Sequence, residues 1–387
     1  MSAVVRISPK GEARVQRGHP WVFRSDVTRA ERVEPGSVVR VEGPRGQPLG
    51  FAFFSSRSEI RLRMLSREEA LPEDWLKERL AAAIRWRETV AAGAAACRLV
   101  HGEGDGLPSL IVDRYGDVLV VQTLSQATER AKGNIVTALQ ELLKPAGILE
   151  RNDPKVRRLE GLEQTVSVLQ GEVPATVEVL EGGVRFAVDL VHGQKTGLFL
   201  DQRENHLMVR SYAHGRVLDA FTYDGGFALQ AAASAESVLA VDVSAEAVAR
   251  VAANAVRNGL ANVTAREGNV FDLLRELHHA GERYDTVILD PPAFAKSRDA
   301  VEKARRGYKD INLRALKLLR PGGCLVTCSC SYHIHEADFE EILAAAAVDA
   351  GLSVTVVEKR RQARDHPVVL GVPETYYLKC FVLRRLG

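Results

Sequence analysis

The sequence predicts an α/β protein whose C-terminal half is a Rossmann-like, doubly wound parallel sheet. A small β-barrel-like domain and a small central α+β domain are expected before it. Three observations predict this. From about residue 216, short apolar strands alternate with helical stretches, as in a parallel sheet covered on both faces. Before residue 70, brief apolar runs alternate with turn signals. Between these regions, hairpin and helix patterns mix. A chain of 387 residues, 46% hydrophobic, has the length for two or three domains, expected here at 1–72, 73–185 and 186–387.

In the first region, strands are expected at 37–41, 50–54 and 60–65, separated by turns at Glu34-Pro-Gly36, Gly43-Pro-Arg-Gly46 and Pro48-Leu-Gly50. The last strand alternates strictly and places Arg61 and Arg63 on one face. Residues 1–67 carry 13 Lys plus Arg against six acids, while the whole chain is only +2. Twelve of those 13 are Arg, which pairs bidentately with phosphate, so a small nucleic-acid-binding module is expected here.

A connector helix is expected from Asp74 to about Ala96. A hairpin across Gly116-Asp117, an amphipathic helix over 128–143, a strand at 148–151 and a second hairpin across Glu181-Gly-Gly183 complete the middle region. No apolar run approaches the ~20 residues that span a bilayer, and the N-terminus has no signal-peptide pattern, so a cytoplasmic protein is expected. Five unevenly spaced cysteines do not read as a disulfide framework, and Cys328 and Cys330 lie too close on a buried strand for a zinc pair, so no metal is expected.

In the C-terminal half, three strand ends point to a ligand, because doubly wound sheets bind beyond the carboxyl ends of their strands. The first ends at Asp219 and runs into Tyr223-Asp-Gly-Gly226 before a helix; the glycines admit a ligand close to the backbone. The second ends at Asp242, about 20 residues past the glycine turn, where an acid can hold both hydroxyls of a ribose. The fourth ends in Asp290-Pro-Pro-Ala-Phe294. Neither Gly-x-Gly-x-x-Gly nor a phosphate-binding Gly-x-x-x-x-Gly-Lys-Ser/Thr loop occurs, which argues against a dehydrogenase and an ATPase. Three such ends in order favour an S-adenosylmethionine site.

Further segments make the pattern specific. They are Arg17-Gly-His-Pro-Trp-Val-Phe23, Glu150-Arg-Asn-Asp153, Arg157-Arg-Leu-Glu-Gly161, Lys195-Thr-Gly-Leu-Phe-Leu-Asp-Gln-Arg203, Arg306-Gly-Tyr-Lys-Asp-Ile-Asn312 and Asp365-His-Pro-Val368. In this order, over nearly the whole length, the chain resembles the RlmI-like family of 23S ribosomal RNA cytosine-5 methyltransferases. The resemblance implies a PUA-like RNA-binding domain, then a Rossmann-like class I methyltransferase domain that uses S-adenosyl-L-methionine. It implies that Asp219, Tyr223 and Gly225 line the methionine end of the cofactor and that Asp242 holds the ribose. The Phe199, Asp201, Gln202 and Arg203 segment would close over it. Asn269 stands where the family has an acid facing the adenine amino group; an Asn carbonyl can accept that bond if neighbours fix the amide. The implied partner is 23S ribosomal RNA, free or partly assembled, with no membrane; a homodimer is left open.

Methylation of cytosine carbon 5 needs a thiolate that adds to C6 and pushes electron density onto C5. Val326-Thr-Cys-Ser-Cys-Ser331 offers two thiols at a strand end. In the wider group the nucleophile lies in Thr-Cys-Ser after a Gly-x-Leu-Val strand, which aligns with Cys330; Cys328 sits in a literal Thr-Cys-Ser one step earlier. Cys330 is the expected nucleophile, with Asp290 expected to protonate or hydrogen-bond cytosine N3 and Phe294 to stack on the base. The wider group carries a second cysteine after the fourth strand for product release; here Cys328 or a water is expected to take that role. Lys296, Arg298, Lys303, Arg305, Arg306, Lys309 and Arg314 would add to an RNA surface beside the site. Two other readings are weighed: an amino-directed RNA methyltransferase of the guanine N2 type, and an RNA-binding assembly factor with a vestigial cofactor site.

Overall fold

The computed structural model describes residues 3–295 and 298–387. The chain forms two compact units. The first comprises Met1–Val179, Val188–Gly197 and Arg364–Thr375; the second comprises Leu180–Ala187, Leu198–Ala363 and Tyr376–Gly387.

The first unit begins with a six-stranded sheet in the order Trp21–Phe23, Ile60–Ser66, Pro48–Phe54, Val38–Glu42, Val4–Ile7, Val27–Arg29. Its strands share one core of Val5, Ile7, Val22, Val39, Val41, Leu62 and Met64. Arg63, expected on an outward basic face, is instead buried and paired with Glu160 at 2.8 Å. Arg6, Arg14, Arg24 and Arg29 are likewise spent on Glu42, Asp26, Glu59 and Glu31.

A five-stranded sheet follows, in the order Thr165–Gly171, Gly147–Asn152, Val118–Thr123, Leu110–Tyr115, Ala96–His101. The helices Trp75–Val90 and Lys132–Leu143 contribute Leu80, Ala83, Ile135 and Leu139 to its core. The connector helix ends at Val90, earlier than its apolar spacing suggests: Gly93 adopts φ +70° in a turn, and Ala96 already starts a strand. The expected helix over 128–143 is broken into Gln126–Arg130 and Lys132–Leu143.

In the second unit we label seven strands: β1 Arg216–Ala220, β2 Ser237–Asp242, β3 Val263–Glu267, β4 Tyr284–Leu289, β5 Leu319–Ser329, β6 Val354–Arg361 and β7 Lys379–Arg385. They form one sheet in the order β3-β2-β1-β4-β5-β7-β6. The first five run parallel; β7 pairs antiparallel with both β5 and β6. The helices are α1 Arg203–Met208, α2 Gly226–Ala231, α3 Ala245–Arg257, α4 Val270–His279, α5 Val301–Leu318 and α6 Glu336–Ala350. Two apolar clusters cover the sheet: one gathers α4, α5 and α6 side chains such as Leu274, Ile311 and Phe339, the other α2 and α3 side chains such as Ala228 and Val251. The order reverses between β1 and β4, so the ligand crevice of a doubly wound sheet opens there.

No helix among the described residues is long and apolar enough to cross a membrane.

Candidate active site

β2, β1 and β4 are neighbours, so the three acids expected at strand ends lie along one edge. Asp219, on β1, is wholly buried. Its Oδ2 accepts the Thr222 hydroxyl at 2.6 Å, while Oδ1 is buried without a hydrogen-bond partner. Burial pushes its pKa up to about 7; Thr222 and the nearby His206 pull it back, and the charge of Asp290 adds to the rise.

The turn after β1 is held in left-handed backbone at Phe221 (φ +67°), Tyr223 (φ +48°) and Gly225 (φ +84°). Two of these are not glycine, an arrangement that costs energy and clusters at functional sites. The turn brings the Tyr223 amide onto Asp242 Oδ2 at 2.9 Å, and the Ser244 amide bonds Oδ1 at 3.0 Å. Each oxygen retains a lone pair for a ribose hydroxyl. Tyr223 packs edge-on against Phe199 at 5.0 Å, so two expected cofactor residues meet. The Arg250 guanidinium lies over the Tyr223 ring, 5.1 Å from its centre, and pairs with Asp224.

Asn269 is the N-cap of α4, its Oδ1 accepting from the Phe271 amide at 2.9 Å. That bond fixes the amide orientation, as the substitution of Asn for an acid requires, and leaves the carbonyl oxygen a second lone pair.

Residues 199–203 form a short turn of helix leading into α1. Gln202 donates to Asp290 Oδ1 at 2.9 Å and accepts from Asn205 at 2.6 Å. Asp201 is buried and takes the Tyr377 hydroxyl at 2.8 Å, so it anchors the segment. Arg203 is also buried, beside Glu204.

The two candidate thiols part company. Cys328 is wholly buried on β5, directly opposite Cys380 of β7, among apolar side chains. Burial, then the Cys380 thiol, pushes its pKa well above the ordinary value. A thiol so held stays protonated, which counts against a part in product release. Cys330 lies one residue past the end of β5, half-buried, its thiol 3.9 Å from the Pro291 carbonyl oxygen. The Asp290-Pro291 loop and Cys330 are therefore in contact. None of the five cysteines forms a disulfide.

Phe294, expected to stack on a base, packs at 4.6 Å against Tyr308 and at 5.9 Å against Phe271. Of the basic cluster, Lys296 and the side chain of Arg298 lie outside the described residues. Arg305, Lys309 and Arg314 do not form an open cationic face: they pair with Asp338 and Glu341, with Asp349, and with Asp310.

One site residue escaped the sequence reading. His206 is buried against the glycine turn, where a Cβ on Gly226 would collide with its ring. Its Nδ1 meets Glu181 at 2.9 Å. Burial is the largest influence and works against its charge, but the charge and hydrogen bond of Glu181 together with Asp290 and Asp219 leave its pKa raised. The Glu181–His206 pair spans 25 positions, so no local motif signals it in the sequence.

S-adenosylmethionine offers a cationic sulfonium, an ammonium, two ribose hydroxyls and an adenine amine. The residues present fit it: an unpartnered buried oxygen on Asp219, two accepting oxygens on Asp242, an accepting amide at Asn269, and a turn whose Gly225 holds a left-handed φ of +84° that favours glycine.

A family model described as S-adenosylmethionine-dependent methyltransferase matches residues 97–383, and one described as PUA-like domain matches residues 5–67. Ribosomal RNA large subunit methyltransferase I of Erwinia tasmaniensis is 41% identical over 96% of this chain and 97% of its own. The protein of that name from Vibrio vulnificus is 41% identical, with 100% of both chains covered. Among solved structures, SMU.776 complexed with SAH has a TM-score of 0.85 at 22% identity, covering 99% of this chain and 100% of its own. Trm5b from Pyrococcus abyssi has a TM-score of 0.52 at 18% identity, covering 70% of this chain and 73% of its own. The last two bear on fold alone.

Proposed function

This chain belongs to the S-adenosylmethionine-dependent methyltransferase family, and from that premise we propose that it forms 5-methylcytosine in 23S ribosomal RNA, with Cys330 as nucleophile. The observation that carries the reading is the half-buried Cys330 thiol at the Pro291 carbonyl, one residue from Asp290. The large-subunit RNA target rests on the names of relatives at about 40% identity over the full length, and the PUA-like domain is the expected RNA holder. A ribosomal RNA substrate accords with a cytoplasmic enzyme.

S-adenosylmethionine supplies the methyl group. Asp219, Tyr223 and Gly225 hold its methionine end, Asp242 the ribose and Asn269 the adenine amine; the Phe199 to Arg203 segment covers it. The Cys330 thiolate adds to cytosine C6, which makes C5 nucleophilic. The Asp290 carboxyl, steadied by Gln202, gives its proton to N3 as the thiolate adds and takes it back when the adduct breaks down. Loss of the C5 proton to solvent and return of the C–S electron pair to sulfur free the product.

The test is incubation with methyl-labelled cofactor and undermodified 23S RNA, followed by mass-spectrometric mapping of the labelled base. Label on cytosine C5, abolished in Cys330→Ala, is expected. Methylation that survives Cys330→Ala, or label on an exocyclic amine, would instead support the amino-directed reading.

A further inference from the structure

Lys379 opens β7 directly opposite Ser329 of β5 and is 1% exposed. Its Nζ donates to the Ser331 carbonyl at 2.8 Å and the Tyr377 carbonyl at 3.0 Å. Among the described residues it forms no ion pair with a carboxylate. A buried ammonium without a counter-anion is costly, and it usually loses its proton or acquires a partner. The carbonyls satisfy two of its three N–H groups. The Ser331 carbonyl belongs to the residue next to Cys330, so the amine is tied to the loop that carries the thiol.

The other charges near it are already engaged. Asp338 of α6 pairs with Arg305 at 2.9 Å and accepts from the His335 amide. Glu336 of α6 accepts the Tyr376 hydroxyl. Arg361 lies opposite on β6, exposed to solvent. Cys328 and Cys380 face each other one position along the β5–β7 ladder. Of the ionisable groups acting on Lys379, Cys330 exerts the largest pull, ahead of Asp338 and Glu336.

We infer that Lys379 is a positioning residue whose ammonium, tied through the Ser331 carbonyl to the loop that carries Cys330, holds that thiol as a thiolate. The inference rests on the reading of Cys330 as nucleophile. The charges balance: the thiol gives its proton to solvent, the amine takes one from solvent, and neutral thiol plus neutral amine become thiolate plus ammonium with no change in net charge. When the C–S bond of the adduct later breaks, its electron pair returns to sulfur and the ion pair is restored. Burial lowers the pKa of Lys379 to about 8, which puts the exchange within reach of neutral pH.

The test is iodoacetamide alkylation of the full-length protein across the pH range, with Cys330→Ala as background so that only the Cys330 signal is read. The wild-type midpoint is expected at least about one unit below the ~8.5 of an ordinary thiol. Lys379→Met should move it to ~8.5 or above. Near pH 7 that shift leaves about ten-fold less thiolate; because each remaining thiolate attacks about three-fold faster, the net rate falls about three-fold. The midpoint is therefore the sharper readout. A wild-type midpoint at or above that of an ordinary thiol overturns the inference without any variant. A folded Lys379→Met with an unchanged low midpoint overturns it too. Neither result touches the nucleophile reading, which fails separately if Cys330→Ala still methylates.

Discussion

Replacing Asp219 with Asn separates a carboxylate placed for a ligand from one placed for the fold. The group is wholly buried, one oxygen on Thr222 and the other unpartnered, and its pKa is raised from 3.8 to about 7, chiefly by burial. In the unfolded chain it ionises at the ordinary value. Between those two values the folded state binds the extra proton, so stability from this group is fully present below the lower value and is lost as pH rises to about 7. At ~1.36 kcal/mol per unit, the whole interval is worth about 4 kcal/mol, and the stretch from about pH 6 to about pH 8 about 1.4 kcal/mol. Asn cannot ionise and escapes this loss. Wild type should therefore lose about 1.4 kcal/mol relative to Asp219→Asn over that stretch. The assay is denaturant unfolding at the two pH values, read on the transition that S-adenosylhomocysteine shifts. The same variant should bind S-adenosylmethionine about 30- to 150-fold more weakly by calorimetry, the loss of one charge-assisted bond. A stability difference that stays flat with pH, or that moves in favour of wild type, would refute the reasoning.

Gln202→Ala removes the side-chain amide that donates to Asp290 at 2.9 Å; kcat should fall by up to about 100-fold, with cofactor affinity measured by calorimetry changing far less. Cys328→Ala should retain full turnover and accumulate no gel-stable RNA adduct, since its thiol is buried against Cys380 and held protonated. Arg63→Met leaves Glu160, 1% exposed, without its cation and should cost about 3–5 kcal/mol. All three tryptophans, Trp21, Trp75 and Trp86, lie in the first unit, so their fluorescence reports that loss selectively. Adding Glu160→Gln should recover part of it.

The parts legible in the sequence were those encoded locally. β1, β2 and β4 are short continuous apolar runs that end in an acid, and burial on both faces of a parallel sheet demands such runs. Asp219, Asp242 and Asp290 followed from that pattern. What stayed hidden depended on partners far along the chain. Arg63 is read as a surface cation until Glu160, 97 positions away, is brought to it. Arg305 and Lys309 looked like an RNA face until α6 set Asp338, Glu341 and Asp349 against them. Lys379 reaches Ser331 only because β7 doubles back antiparallel to β5. The left-handed backbone at Phe221 and Tyr223 has no local signature, because neither residue favours it; the surrounding sheet imposes it.

The three acids at the strand ends raise a question of charge that a cationic cofactor bound there would answer. Asp242, Asp219 and Asp290 stand on adjacent strands, and Asp290 already opposes ionisation of Asp219. In the ligand-free protein the proton on Asp219 and the raised positive charge of His206 relieve that repulsion. A cationic ligand at the same edge makes the proton on Asp219 unnecessary. Binding of S-adenosylmethionine should then expel it, and calorimetry in buffers of different ionisation enthalpy should count about half a proton released near pH 7, where the group is half-protonated beforehand. S-adenosylhomocysteine, which lacks the sulfonium charge, should release less. Equal release by the two ligands would mean that the acid edge answers to the shared amino-acid end and not to the reacting sulfur.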